Sequence, residues 1–205
     1  MTGKFELLNP DCFVYYAGVV PAAEADSILA CLWKELDWRQ QEITLFGRRV
    51  LQPRLTAWYG DPGTAYSYSG LQLEPLPWHP LLKKLKHRLE SFTGETFNSV
   101  LANAYRNGSD SMGWHSDDEK ELGHQPTIAS LSFGAERRFL VREKGQRSIA
   151  LVLQHGSLLV MKGESQSRFQ HSLPKTRRTA SLRINLTYRM VRDLTAFDPD
   201  RRTGD

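Results

Sequence analysis

The sequence predicts an antiparallel β-fold, a sandwich or jelly roll, with flanking helices. Three observations predict it. Six short runs rich in β-branched and aromatic residues follow Gly94, at 97–105, 127–133, 138–142, 149–153, 157–161 and 182–188. No helical period interrupts them, and strands that follow one another without helices pair antiparallel. Both clear amphipathic helices precede these runs, which leaves them to flank the sheets.

Taken in order, the first helix spans 22–36. Ile28, Leu29, Leu32, Trp33 and Leu36 fall on one face, and Pro21 sits near its start. Segment 42–59 holds two more β-like runs. The second helix spans 80–92, with Leu82, Leu85, Leu89 and Phe92 as its stripe and Gly94 as its stop. The stretch 195–205 is polar and is expected to fray. No repeat or low-complexity linker divides the chain. It reads as one domain: an N-terminal helical lid to about residue 95, a core over about 96–191, and a tail over 192–205.

Composition excludes several classes. Hydrophobic residues at 40% and charged residues at 24% are those of a globular domain, which rules out disorder for the whole chain. No stretch approaches the roughly 18 apolar residues that a spanning helix needs. Residues 1–10 lack the basic-then-apolar layout of a signal peptide. Two cysteines cannot build a disulfide framework, so a reducing compartment is expected. With no targeting segment and a short N-terminus, the reading is a bacterial cytoplasmic protein without a membrane partner or an obligate protein partner. Lys and Arg total 27 against 23 Asp and Glu, and the net charge of +4 permits a polyanionic partner without requiring one.

The chemistry begins at His115-Ser116-Asp117. On an extended segment alternate side chains point the same way, so both could face one metal ion. Two histidines and a carboxylate make a facial triad with open coordination positions, a set suited to Fe(II) and oxygen. His171 is the candidate third ligand, since a strand returning after 157–161 could meet the first pair. By itself a His-x-Asp pair is common, and a polar surface turn over 116–120 is its ordinary explanation. His79, His87, His124 and His155 have no partner at ligand spacing and read as surface or loop residues.

A second feature lies near the C-terminus. In 183–189, Arg183, Asn185, Thr187 and Arg189 share one strand face, while Leu186 and Tyr188 take the other. Two arginines facing a core are costly unless anions pair with them. A dicarboxylate would satisfy both, because the guanidinium fork holds a carboxylate by two parallel hydrogen bonds. A basic surface strand is the competing reading.

His115-x-Asp117, His171 and Arg183-x5-Arg189, in that order, resemble the AlkB family of Fe(II)/2-oxoglutarate dioxygenases. The intervening text agrees: Asn103-Ala104-Tyr105-Arg106-Asn107-Gly108, Trp114-His115-Ser116-Asp117-Asp118-Glu119, Ala129-Ser130-Leu131-Ser132-Phe133-Gly134-Ala135, His155-Gly156-Ser157-Leu158-Leu159 and His171-Ser172-Leu173-Pro174. The similarity runs from about residue 44 to 190, nearest to the branch of nucleic-acid repair enzymes. It implies a double-stranded β-helix, the jelly roll. It implies iron held by His115, Asp117 and His171, and 2-oxoglutarate held by Arg183 and Arg189. Asn103 and Tyr105 match the family's cosubstrate-contacting Asn-x-Tyr, and Asn185 and Thr187 lie on the cosubstrate strand. The implied reaction uses O2, converts 2-oxoglutarate to succinate and CO2, and removes an N-methyl group from a base as formaldehyde. Its substrates would be bases such as 1-methyladenine and 3-methylcytosine in DNA, single- or double-stranded, or in RNA.

Atoms on a paired base edge are unreachable in a duplex, so such an enzyme must flip the base out. Leu45-Phe46-Gly47-Arg48 sits between β-like runs and can form a hairpin tip whose Phe46 wedges into the stack. A similar Phe-Gly finger occurs in the duplex-acting branch. Tyr66 and Tyr68 could line the pocket, with Tyr68 stacking the base against His115. Asp118 and Glu119 could favour a cationic alkylated base. Arg54 could contact a phosphate or a base edge. Lys83, Lys84, Lys86, His87 and Arg88 read as a solvated basic face. Segment 53–59 resembles instead the homologue that prefers single strands, so two substrate signatures are mixed. Another methylated substrate within the family, RNA or protein, and a catalytically silent nucleic-acid-binding module are the alternatives.

Overall fold

The computed structural model describes residues 4–6, 9–45, 47–64, 66–68, 71–178 and 181–192. Its elements are β1 (Lys4–Glu6), β2 (Phe13–Tyr16), α1 (Ala22–Glu35), β3 (Glu42–Leu45), β4 (Arg48–Leu51), β5 (Leu55–Gly60), β6 (Tyr66–Tyr68), β7 (Leu71–Leu73), α2 (Pro80–Thr93), β8 (Ser99–Tyr105), β9 (Met112–His115), β10 (Ile128–Gly134), β11 (Arg137–Glu143), β12 (Ile149–Leu153), β13 (Ser157–Met161), α3 (Ser165–Arg168), β14 (Phe169–Leu173) and β15 (Arg183–Arg189). A 3-10 turn at Lys120–Leu122 follows β9.

Seven strands form the larger sheet in the order β1-β2-β13-β10-β15-β8-β5, and four form the smaller in the order β12-β11-β14-β9. All named strand pairs are antiparallel. Two hairpins, β3-β4 and β6-β7, stand apart from both sheets. The fold is a jelly roll.

Strand alternation divides the residues of the larger sheet between two cores. On β8, β10 and β15 the residues Val100, Ala102, Ala104, Ala129, Leu131, Phe133, Ile184, Leu186 and Tyr188 join the cluster that also holds Ile28 and Leu32 of α1 and Leu82, Leu85 and Leu89 of α2. The small Ala residues let the helices approach the sheet, and Tyr188 donates its hydroxyl to Leu82 O at 2.9 Å. The second cluster, between the sheets, joins Phe13, Tyr15, Tyr105, Ile128, Leu159 and Met161 to Phe139, Val141, Leu153, Phe169 and Leu173.

The helices end where the sequence expects, within a residue. α2 is capped at both ends: His79 Nδ1 accepts the Leu81 N–H, and Gly94 adopts a left-handed φ of 76°. Of its basic flank, Arg88 pairs with Glu24 at 3.0 Å and Lys86 with Glu90 at 2.8 Å. Segment 42–59 contributes to three strands, not two. The β1, β2, β6 and β7 strands are not among the expected runs, and each has only three or four residues; the extended segment at His115 and the returning strand at His171 correspond to β9 and β14. The tail 195–205 lies outside the described residues, as does Phe46. The turn joining Leu45 to its partner Arg48 has two residues, and Gly47 within it takes a φ of 75°.

Candidate active site

The site forms where β8 and β15 of one sheet face β9 and β14 of the other. Arg183, Asn185, Thr187 and Arg189 alternate along β15 with Ile184, Leu186 and Tyr188, so the polar set faces inward while the apolar set packs on the helices. Asn103 lies directly across from Asn185, and Tyr105 across from Arg183. On the other flank Ser130 pairs with Thr187 and Ser132 with Asn185. These residues make one network. Arg183 Nη2 donates to Ser132 Oγ at 3.0 Å and to Asn185 Oδ1 at 3.1 Å. Asn185 Oδ1 also accepts from Ser130 Oγ at 3.2 Å, and Asn185 Nδ2 donates to Thr187 Oγ1 at 2.9 Å.

His115 ends β9, and His171 sits directly opposite it on β14. Their rings are 4.2 Å apart between centroids. The ladder slips by one residue next to this pair, since Leu173 faces Met112. Three steps on β9 therefore match two on β14, a β-bulge at Gly113 and Trp114. In a regular strand residues three apart point to opposite faces, yet Met112 and His115 both line the pocket. The bulge is what turns His115 inward.

Asp117 lies past the end of β9, in a segment without regular structure. The expectation that strand alternation alone aligns His115 with Asp117 is therefore corrected. Two bonds to the α3–β14 segment tie this loop down: Asp117 N donates to Gln166 Oε1 at 2.9 Å, and Ser116 Oγ donates to Phe169 O at 2.8 Å. The result still brings the pair together. Donor atoms of His115, Asp117 and His171 lie within 4.8 Å of one another.

Burial and charge set the states of these groups. Burial, and then the neighbouring His115, push His171 down to about 3, so its ring is neutral and has a lone pair to offer a metal. Burial opposes ionisation of Asp117, but the Arg189 guanidinium beside it outweighs burial and holds the carboxyl well below the usual carboxylate range. Arg189 Nη2 donates to Asp117 Oδ2 at 2.7 Å, while Oδ1 lies 3.7 Å from His115 Nε2. Two imidazoles and an ionised carboxylate fit a divalent iron. Arg183 is 1% exposed, and burial lowers it to about 10. Among the described residues no carboxylate pairs with it, and its Nε has no hydrogen-bond partner. Its guanidinium lies 5.3 Å from the Tyr105 ring centroid. A buried cation in this state fits a carboxylate ligand.

All of the metal and cosubstrate residues expected from the sequence line one pocket, together with Arg54. Arg54 Nε donates to Asn103 Oδ1 at 2.8 Å, which ties this residue to β8 within the pocket. Of the other expected substrate residues, those described lie outside this pocket. Gly47 and Arg48 are exposed on the β3-β4 hairpin. Asp118 is exposed and Glu119 half-buried, and neither lines the pocket. The side chains of Tyr66 and Tyr68 lie outside the described residues. Residues that sequence reasoning missed include Leu101, Met112 and Phe139 in the pocket wall, and Gln166 behind Asp117.

Two histidines read as loop residues have structural partners instead. His155 Nδ1 accepts the Gly134 N–H at 2.8 Å, and its Nε2 lies 3.2 Å from Asp26. His79 groups with Cys31 and Glu35 within 4.8 Å. Its Nδ1 accepts the Leu81 N–H, so in the neutral ring Nε2 carries the proton and faces Glu35 at 3.1 Å. That nitrogen has no lone pair for a metal, and the cluster is a hydrogen-bonded tie between α1 and α2.

Comparison with known proteins agrees with this geometry. The model of the 2OG-Fe(II) oxygenase superfamily matches residues 12–189. The chain is 46% identical over 187 residues to human alpha-ketoglutarate-dependent dioxygenase alkB homolog 3, covering 86% of this chain and 65% of that protein. It is 40% identical over 188 residues to mouse DNA oxidative demethylase ALKBH2, covering 86% of this chain and 79% of that one. The chain thus spans about two thirds of the length of the alkB homolog 3 proteins it matches. The solved structure of OsALKBH1 shares the fold, with a TM-score of 0.67 over 92% of this chain and 100% of that chain at 16% identity. Sequence and fold agree: this chain belongs to the 2OG-Fe(II) oxygenase superfamily.

Proposed function

We propose that this protein is an oxidative demethylase of N-alkylated bases in nucleic acid, using Fe(II), O2 and 2-oxoglutarate. The observation that carries the reading is Arg183, a buried guanidinium with no carboxylate partner among the described residues, in the same pocket as His115, Asp117 and His171. An arginine so placed needs an anion. A metal triad and a carboxylate-binding arginine in one pocket are the two requirements of a 2-oxoglutarate oxygenase. His115, Asp117 and His171 would hold the iron. When bound, iron with 2-oxoglutarate would activate O2, the oxidant, so that one oxygen atom enters the methyl group and the other enters succinate as CO2 leaves.

The chain's own residues do the rest. Arg183 binds one cosubstrate carboxylate, and Ser132 and Asn185 hold its guanidinium in place. Arg189 orients the Asp117 carboxylate. Leu101, Met112 and Phe139 give the pocket apolar walls that exclude water from the reacting groups. Asn103 and Tyr105 of β8 and Thr187 of β15 complete the cosubstrate face, and Arg54 lines the same pocket. Loss of the hydroxylated methyl group as formaldehyde restores the base.

Nucleic acid as the substrate class is supported by the similarity to alkB homolog 3 and ALKBH2. Within that class, 1-methyladenine and 3-methylcytosine in DNA are the substrates proposed, with RNA as a further one. The β3-β4 hairpin, bearing exposed Arg48, Arg49, Val50 and Leu51, is suited to engage a duplex. Both cysteines are free, which fits the reducing cytoplasm expected from the sequence, and no described helix is long and apolar enough to cross a membrane. The test is 2-oxoglutarate turnover measured with and without a methylated oligonucleotide. Succinate formation should rise severalfold with the methylated oligonucleotide and not with its unmethylated twin. Equal turnover with both would remove methylated bases as the substrate.

A further inference from the structure

We propose that Gln166 is a positioning residue for the metal centre: it fixes the backbone of Asp117 and so sets where that carboxylate sits relative to His171. The proposal rests on the triad reading above. Asp117 is 4% exposed and lies beyond the last ladder of β9, so its N–H has no strand partner. A buried amide must find an acceptor. Gln166 Oε1 supplies it at 2.9 Å.

Gln166 is itself 2% exposed, and both ends of its amide are used. Nε2 donates to Ser165 Oγ at 3.1 Å and to Met161 Sδ at 3.6 Å. With an N–H donor at one end and two acceptors at the other, only one orientation of the amide satisfies the site. Ser165 is fully buried, and its N–H donates to Lys162 O at 3.1 Å. The acceptor is therefore set in place before any metal arrives.

The placement has a mechanical consequence. One short segment carries Gln166, then Phe169, whose carbonyl holds Ser116, then His171. It contributes one metal donor and grips the loop carrying another. Arg189 fixes the Asp117 side chain, and Gln166 fixes its main chain. Between them the carboxylate has little freedom to swing away from His115 and His171. Partners of this kind, one step behind the ligands, typically change metal affinity by about 10–100-fold when removed.

The test uses two variants of the full chain. Gln166→Met keeps the length and removes the acceptor; Gln166→Glu keeps an acceptor oxygen. Manganese(II) affinity is measured by spin-resonance titration, alongside the melting temperature of the metal-free protein. The expected result is a metal affinity at least tenfold weaker in Gln166→Met, substantially restored in Gln166→Glu, with the metal-free melting temperatures of the two variants alike. Gln166→Met binding manganese(II) as wild type does overturns the proposal, and so does a loss that Gln166→Glu fails to reverse. A wild-type chain that takes up no manganese(II) would overturn the triad reading itself, and this proposal with it.

Discussion

Arg189 donates to Asp117 Oδ2 across 2.7 Å, and both side chains are 6% exposed. This buried pair joins the two features that the sequence presents separately, the His-x-Asp motif and the arginine strand. If Arg189 also holds the cosubstrate, as the family resemblance implies, it acts on both it and the metal centre. Removing one partner of a buried ion pair costs roughly 3–5 kcal/mol, because the other charge is left uncompensated.

The two arginines are accordingly predicted to behave differently. Arg183→Ala should weaken 2-oxoglutarate by about tenfold to a hundredfold, the worth of roughly 1.5–3 kcal/mol in a charged hydrogen bond, and leave metal affinity within a factor of about three. Arg189→Ala should weaken both, and should also lower the melting temperature. Separate titrations with manganese(II) and with 2-oxoglutarate decide the matter. An Arg189→Ala protein with unaltered metal affinity would show that the pair with Asp117 has no bearing on the metal.

Each triad residue supplies one vertex of the site. His115→Ala, Asp117→Ala and His171→Ala should each lower 2-oxoglutarate decarboxylation by at least about a thousandfold while the circular dichroism of the jelly roll persists. Asp117→Ala leaves Arg189 buried without its carboxylate, so it should be the least stable of the three. Near-normal decarboxylation in any one of them removes that residue from the triad.

The buried ring of His171 predicts an acid-sensitive fold. Its ordinary value of 6.5 falls to about 3 in the folded chain. The folded state therefore binds fewer protons than the unfolded state between those values, and stability rises with pH across that window. Acidification from about 6.5 towards 3 should cost up to about 1.4 kcal/mol per pH unit from this group. Asp117 adds to the loss only at lower pH. Its depressed carboxyl contributes stability above the ordinary carboxylate value, and that stability disappears as pH falls through the folded one. Melting temperatures of metal-free wild type and His171→Gln between pH 4 and pH 8, in that order of steepness, provide the check. Parallel slopes in the two proteins would contradict the assignment.

Much of this site was legible because it depends on strand alternation and residue chemistry. The period of two along β15 divided Arg183, Asn185, Thr187 and Arg189 from Leu186 and Tyr188, and the structure makes the same division. The helices followed from their leucine stripes. The bounds and register of the short strands were not legible. β9 is Met112-Gly113-Trp114-His115, whose glycine and bulge break any period, and it gains its place only by pairing with β14. Gln166 was equally silent, because a glutamine in a four-residue helical turn gives no pattern and its role comes from an amide 49 positions away. The His79 and His155 contacts likewise join segments far apart in the chain.

Phe46 tests the substrate side. A flipped base leaves a gap in the stack, and a ring inserted there restores part of the lost energy. Phe46→Ala should lower repair of a duplex lesion by roughly tenfold or more, about 1.4 kcal/mol, and leave single-strand repair nearly unchanged. Equal losses on both substrates would make Phe46 a general structural residue. No loss on either would leave segment 53–59 as the better guide to strand preference.

Oxidative removal of a methyl group from a base must release that carbon as formaldehyde. The wild-type chain, Fe(II), 2-oxoglutarate and O2 are incubated with an oligonucleotide carrying one 1-methyladenine, and formaldehyde, succinate and restored adenine are counted in the same sample. One formaldehyde and one adenine are expected for each coupled succinate, and none of the three from the Asp117→Ala protein. Succinate formed without formaldehyde or restored adenine, across single-stranded, double-stranded and RNA versions of the same lesion, would rule out base demethylation by this protein.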